Sequence, residues 1–269
     1  MSKRERQKRI VATLQNSPAL RASGLSADLG VSSETIRRDL IELDEKGLIN
    51  RTYGGAARPL GYEPPVKERM TIRVAERDRI ARTVADLIAE NEVVFIGSGA
   101  TTNHVARAIA ERCRKITVIT HDFLVVRSLS ANPTIRVFFL PGRVNREEDC
   151  TAGAQTLAAI ESYQANWAIL GGSGIGALGI YEADDENAAI YRTMTTRAAK
   201  TVIAVDSGKF HQPVLCIYAQ WDMVDVLCVE AMPDEALERV VTAAGVQILL
   251  ADPAGGVSAR KGGEQGWEE

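Results

Sequence analysis

The chain has 269 residues, 45% of them apolar and 25% charged, which suits one small domain and one larger domain, each with its own core. No run of about eighteen apolar residues occurs, so no transmembrane helix or membrane partner is expected, and no apolar stretch follows the basic start (Lys3, Arg4, Arg6, Lys8, Arg9) to make a secretory leader. The net charge of −3 is uneven: eleven Lys and Arg face seven Asp and Glu up to Arg58, and twenty-one face twenty-eight beyond it, so only the head suits a polyanion.

Residues 5–15 (ERQKRIVATLQ) place Ile10, Val11 and Leu14 on one helical face, and Asn16, Ser17 and Pro18 end that helix. A short helix is predicted from about Ser23 to Leu29, and Gly30 follows where a positive φ is cheap. Ser32 is a good N-cap for a helix over roughly 33–46, whose inward face is Ile36, Leu40 and Leu43. Gly47 closes it, Leu48 to Thr52 reads as a short strand, and Tyr53-Gly54-Gly55 reads as a turn. Helix, turn, helix and strand pair is the arrangement that lets one helix enter a DNA major groove. Ser32, Ser33, Thr35, Arg37 and Arg38 lie near the start of that helix. Arg51 and Tyr53 lie in the wing, so these seven are the candidate DNA contacts. A plain solvated helix face is the alternative for Arg37 and Arg38. Asp39 reads as an ion-pair partner rather than a base reader.

Residues 25–57, LSADLGVSSETIRRDLIELDEKGLINRTYGGAA, resemble the DNA-binding head of the DeoR family of regulators, through SSETIRRDL followed by L-x-x-x-G-L-I-x-R-x-x-G-G-A. The resemblance continues to about Phe210. It implies a winged helix-turn-helix, usually in a repressor of sugar or related catabolic genes, binding double-stranded operator DNA as a homo-oligomer, dimer or tetramer.

Arg58 to Val66 (RPLGYEPPV) holds three prolines and a glycine and reads as a boundary. The expected division is a head at 1–57, a linker at 58–70, a body at 71–251 and a flexible tail at 252–269, rich in Pro, Gly and charge. Lys67-Glu68-Arg69 and Glu76-Arg77-x-x-Ile80-Ala81 resemble the family's entry into its second domain, with Arg77 where lysine is common.

A helix is predicted from Thr71 to about Glu90, with Ile72, Ile80, Val84, Leu87 and Ile88 as its stripe. Short apolar strands then alternate with helices: 93–96, 116–120, 135–140, 167–170, 201–205, 224–229 and 246–250. That alternation predicts a mostly parallel α/β sheet covered on both faces, with ligands at the carboxyl ends of its strands.

The first strand runs into Gly97-Ser98-Gly99-Ala100-Thr101-Thr102 and then a helix. Small residues and hydroxyls at a helix N-terminus make a phosphate cradle, although a tight capped turn reads equally well. The segment resembles the SGTTT loop of DeoR-type sensor domains, whose fold is like that of sugar-phosphate isomerases; Ala100 replaces a threonine. The resemblance implies a phosphorylated sugar as effector. Thr120-His121-Asp122 stands where the family often has Thr-Asn-Ser. Pro141-Gly142-Arg143 stands where it tends to have two glycines, and Gly153 matches a family glycine.

Gly171-Gly172 begins a glycine-rich loop that contains G-x-G-x-x-G at 174–179. It sits mid-domain with no helix starting inside it, so it reads as a sugar-facing loop rather than a dinucleotide site. Glu186 opens a helix in which Tyr191 replaces a usual lysine. Asp206 and Lys209 match the family's D-x-SKF and suit sugar hydroxyls and a phosphate, or a surface ion pair. The candidate effector contacts are therefore Ser98, Gly99, Ala100, Thr101, Thr102, Thr120, His121, Gly142, Arg143, Gly153, Gly172, Glu186, Asp206 and Lys209. Glu182, Asp184 and Glu186 are available as bases for an isomerase-like enzyme, but their spacing marks none of them, and no enzyme activity is expected. A nucleotide-sensing regulator is the third reading. Cys113, Cys150, Cys216 and Cys228 form no CxxC pair, which fits the cytoplasm, and His104, His121 and His211 lie too far apart to suggest a metal; no cofactor is expected.

Overall fold

A computed structural model of the chain describes residues 1–16, 19–57, 59–60, 62–251 and, as backbone, 257–260. It divides after Glu63 into two compact units.

The first unit contains α1 (Lys3–Asn16), β1 (Ala19–Arg21), α2 (Ala22–Leu29), α3 (Ser33–Glu45), β2 (Asn50–Thr52) and β3 (Gly55–Ala57), the strands paired in the order β1-β3-β2. Its core is Ile10, Leu14, Leu25, Ile36, Leu40, Leu43, Ile49 and Ala56, which includes the inward stripe of each helix. Gly30 ends α2 at φ 63°, and the Ser32 hydroxyl caps α3 by accepting from the Thr35 amide at 3.2 Å. β2 and β3 form the wing. Gly55 pairs with Thr52 rather than standing in the turn, and a Cβ there would lie 1.8 Å from the Leu20 carbonyl oxygen, so β1 and β3 meet this closely only at a glycine. The unit is a winged helix-turn-helix.

The second unit opens with α4 (Val66–Arg69) and α5 (Val74–Ala85). It continues through β4 (Val93–Ile96), α6 (Ala100–Arg112), β5 (Thr117–Thr120), α7 (Phe123–Leu129), β6 (Arg136–Phe139), β7 (Arg143–Asn145), β8 (Cys150–Ala152), α8 (Ala154–Glu161) and β9 (Ala165–Leu170). It ends with β10 (Gly174–Gly176), β11 (Gly179–Glu182), α9 (Asp185–Thr196), β12 (Ala198–Ala204), β13 (Cys216–Ala219), β14 (Val226–Val229), α10 (Glu235–Ala243), β15 (Gln247–Ala251) and β16 (Val257–Arg260).

All seven predicted strands enter one sheet, ordered β16-β15-β14-β12-β9-β4-β5-β6, in which only the β15–β16 pair is antiparallel. Alternate residues feed two cores. Val94, Ile96, Val118 and Ile169 pack with Ile80, Val84, Val105 and Ile109 of α5 and α6; Phe95, Ile119, Leu170 and Ile203 pack with Ile190, Met194, Leu237 and Val241 of α9 and α10. From β4 the chain proceeds outward through β5 and β6, and from β9 it proceeds the other way through β12, β14 and β15. The order therefore reverses between β4 and β9, and the loops that leave these neighbours diverge into a crevice.

Four sequence expectations change. The helix expected from Thr71 to Glu90 is the shorter α5, which begins only after Arg73 in a left-handed conformation at φ 52° and ends at Ala85; before it, Pro65 starts a separate α4 whose Val66 is buried and donates its amide to Glu147 O at 2.9 Å. Residues 64–70 thus belong to the body rather than to a free linker. The glycine-rich loop is the hairpin β10–β11, in which a Cβ at Gly174 would lie 1.7 Å from Gln212 O. Four residues of the stretch read as a flexible tail form β16, and the rest of it lies outside the described residues. No helix among the described residues is long and apolar enough to cross a membrane.

Candidate nucleic-acid interface and anion-binding cleft

In the head, the start of α3 and the wing form a groove lined by Ser33, Glu34, Arg37, Arg51, Thr52 and Tyr53, among others. Arg37, Arg51 and Tyr53 are exposed. Ser32 spends its hydroxyl on the α3 cap, where it also meets the Thr35 hydroxyl at 2.9 Å, and Arg38 pairs with Glu34 across one exposed turn at 3.3 Å. Asp39 is buried and holds Arg6 and Gln7 of α1 at 3.2 and 3.4 Å, so it fixes α1 against α3 and takes no part in the exposed face.

In the body, the crevice between β4 and β9 is a narrow cleft, partly open to solvent. Its floor is Ser98, Gly99 and the first turn of α6, and Gly171 and Gly172 face them from the end of β9. Gly99 precedes α6 at φ 129° and contributes no capping side chain, so the amides of Ala100, Thr101 and Thr102 are the open end of a thirteen-residue helix. Thr102 and Asn103 instead tie back to Gly99 O at 3.0 and 2.8 Å.

Three cations line the cleft: Arg69, Arg77 and Lys209. Arg77 is buried and aimed, donating from Nε to Asp206 at 3.1 Å and from Nη1 to Arg69 O. Arg69 donates to Glu148 and also to Pro64 O at 2.8 Å. Two carboxylates, Glu148 and Glu182, complete the lining, with Tyr191. Glu182 Oε1 accepts from the Ser173 hydroxyl at 3.1 Å and the Ala183 amide at 2.9 Å. Tyr191 OH meets Ser98 Oγ at 2.7 Å and Ser98 O at 2.9 Å; burial raises its pKa well above the ordinary phenol value.

Seven of the fourteen expected effector residues line the cleft: Ser98, Gly99, Ala100, Thr101, Thr102, Gly172 and Lys209. The other seven do not line it, for identifiable reasons. Thr120 donates to Ile96 O at 2.8 Å, and His121 is fully buried beneath the floor. Gly142 is a close-approach position where a Cβ would lie 2.1 Å from Thr156 Oγ1, and Gly153, at φ 95°, precedes α8. Arg143 and Glu186 pair with each other at the surface. Asp206 is committed to Arg77, Arg73 and the Gly208 amide. Arg69, Arg77, Glu148, Glu182 and Tyr191 line the cleft without being among the expected effector contacts, Glu182 standing in the sequence only as an available base. Arg77 and Tyr191 had stood out only as departures from a family pattern.

The sensor-domain model described as the DeoR C terminal sensor domain matches residues 72–231, and the DeoR-like helix-turn-helix domain matches 6–59. The glycerol-3-phosphate regulon repressor of Escherichia coli K12 is 29% identical over 252 residues, 93% of this chain and all of that protein. The HTH-type transcriptional repressor GlcR of Bacillus subtilis is 28% identical, over 83% of this chain and 87% of its own. Among solved structures, ribose 5-phosphate isomerase A from Methanocaldococcus jannaschii is 11% identical over 73% of this chain and 100% of its own, with a TM-score of 0.41. A winged helix-turn-helix and a crevice-bearing α/β body, matched by these two domain models over most of its length, make this chain a member of the DeoR family of transcriptional regulators.

Proposed function

We propose that the chain is a cytoplasmic repressor that binds operator DNA through α3 and the wing and is controlled by a phosphorylated sugar or polyol bound in the cleft. The observation that carries the effector class is the open end of α6. Three uncapped amides and the helix dipole face a cleft that also holds Arg69, Arg77 and Lys209, and a phosphate is the small group such donors suit best. Glu148 and Glu182 are placed to accept hydrogen bonds from the hydroxyls of the remainder. The names of the relatives, a repressor of a glycerol-3-phosphate regulon among them, agree with this class.

On this reading the cleft senses and does not turn over its ligand. Glu182 Oε1 is already engaged by the Ser173 hydroxyl and the Ala183 amide. A two-fold dimer, or a tetramer built from two such dimers, would present two copies of α3 to a palindromic site. Effector binding would shift DNA affinity by a coupling free energy of about 1–3 kcal/mol.

Calorimetric titration of the full chain with pairs of phosphorylated and unphosphorylated sugars and polyols tests the effector class. Binding confined to the phosphorylated members, with each recovered unchanged, is expected. Binding of NAD(H), or conversion of ribose 5-phosphate into an isomer, would overturn it.

A further inference from the structure

The Ser98 backbone and hydroxyl, on the floor of the cleft, are held at every polar atom by two rings below. The Ser98 amide donates to His121 Nε2 at 3.2 Å, its hydroxyl meets Tyr191 OH at 2.7 Å, and its carbonyl accepts from the same phenol at 2.9 Å. Because Nε2 accepts, the His121 proton sits on Nδ1, where it is donated to Thr151 O at 2.7 Å. His121 and Tyr191 meet edge to face at 6.1 Å, and Tyr191 meets Tyr218 in the same way at 5.3 Å. Tyr218 OH in turn donates to Gly171 O, so one run of contacts joins the end of β5, the loop after β4 and the loop after β9.

We infer that His121 is a positioning residue of the anion site: its Nε2 lone pair fixes the Ser98 amide and so holds the open end of α6 in place for a phosphate. The inference rests on the effector reading above and adds a residue that touches no ligand. The order of the structure supports it. Ile96, Ser98 and Gly99 are each held by the next strand end in turn, through Thr120 Oγ1, His121 Nε2 and Asp122 Oδ2, the last at 3.4 Å. His121 is the central member of this series, and its ring is completely buried, so it has no contact with the cleft to make. Its acceptor leaves the Ser98 amide unavailable to an anion, and the three α6 amides remain the backbone donors at the open end. A site assembled in advance binds more tightly because less ordering is needed on binding.

The test compares two substitutions of similar volume in the full chain. His121→Gln keeps an oxygen that can accept from Ser98, and His121→Leu does not. Inorganic phosphate is the probe, with its dissociation constant measured by calorimetry and the melting temperature measured without it. The expected result is at least tenfold weaker phosphate binding in His121→Leu and binding within about threefold of the parent in His121→Gln. Equal phosphate binding by parent and His121→Leu, whatever the melting temperatures, would overturn the inference alone. Should His121→Leu not fold, His121→Val serves as the acceptor-free variant, with the same two outcomes. Absence of phosphate or phosphate-ester binding by the parent would overturn both this inference and the effector reading.

Discussion

Arg77 Nε donates to Asp206 Oδ2 over 3.1 Å, with both side chains buried and 129 residues apart in the chain. This pair links the first turn of α5 to the end of β12 and places a cation in the cleft wall. A second arginine, Arg73, approaches the same carboxylate at 3.5 Å and Glu230 at 3.5 Å. Removing one member of a buried pair leaves the other charge uncompensated, which costs about 3–5 kcal/mol.

Asp206→Ala is therefore expected to lower stability by about 3 kcal/mol and to weaken binding of a sugar phosphate together with it. Arg77→Met, which removes the cation and keeps much of its volume, is expected to weaken ligand binding at least as strongly. Urea unfolding and calorimetry on the two variants check this. Unchanged ligand affinity in Arg77→Met would mean that this cation does not face the effector.

Arg37 is exposed on α3 and shares the groove with Arg51 and Tyr53, whereas Arg38 is paired with Glu34. Arg37→Ala is expected to weaken operator binding by about 1–3 kcal/mol with no change in melting temperature. If Arg37 reads a base, sequence preference relaxes; if it meets a phosphate, affinity falls equally on all sequences and the salt dependence becomes shallower. Arg38→Ala is expected to do less. Anisotropy titrations at several salt concentrations separate these outcomes.

Gly55→Ala places a Cβ against the Leu20 carbonyl oxygen at 1.8 Å, a backbone atom that cannot step aside alone. The β1–β3 pairing must open, so the head is expected to lose at least about 1–3 kcal/mol and operator affinity with it. Gly54→Ala meets nothing within 4 Å and serves as the control, with a small effect expected. Equal melting temperatures for the two variants would contradict the close approach.

Burial shifts two neighbouring groups in opposite directions. Burial pushes Asp122 up to about 7, against hydrogen bonds from Val125, Gly99 and Asn103 that pull it down, and burial pushes His121 down to about 4. For Asp122 the folded value lies above the unfolded one, so its contribution is present below about 3.8 and lost as pH rises through about 7. For His121 the folded value lies below, so its contribution is present above about 6.5 and lost as pH falls toward about 4. The two slopes oppose each other between these limits. Asp122→Asn removes the first, so its melting temperature relative to the parent is expected to rise as pH goes from 5 to 8. Parallel curves for the two proteins would contradict the shift.

The sheet was legible in the sequence because its strands are runs such as VVFI and WAIL between glycines and helical stretches, and all seven appear where expected. The head was legible from local signals: Gly30 supplies its left-handed stop, and Ser32 caps α3. The three-residue strands β7, β8 and β10 were not, because so short a run carries no period to read. Site residues divided on the same ground. Ser98 to Thr102 form their own site locally, at one helix end. Asp206 and His121 also stand at strand ends, but their roles are set by Arg77 and Ser98, which are distant in sequence. Position at the carboxyl edge of a sheet identifies the residues near a ligand; the partners that the fold brings in decide which of them touch it.

On the proposed reading, one molecule reads DNA with its head and a phosphorylated small molecule with its body, and the two events are coupled. Fluorescence anisotropy of a labelled duplex from upstream of the chain's own operon, at fixed salt, measures both at once when repeated with a panel of sugar and polyol phosphates. Sequence-preferring binding is expected, which one phosphorylated compound shifts by about five- to 150-fold, with no response to its unphosphorylated counterpart. Equal binding to random DNA, unmoved by every compound, would contradict it.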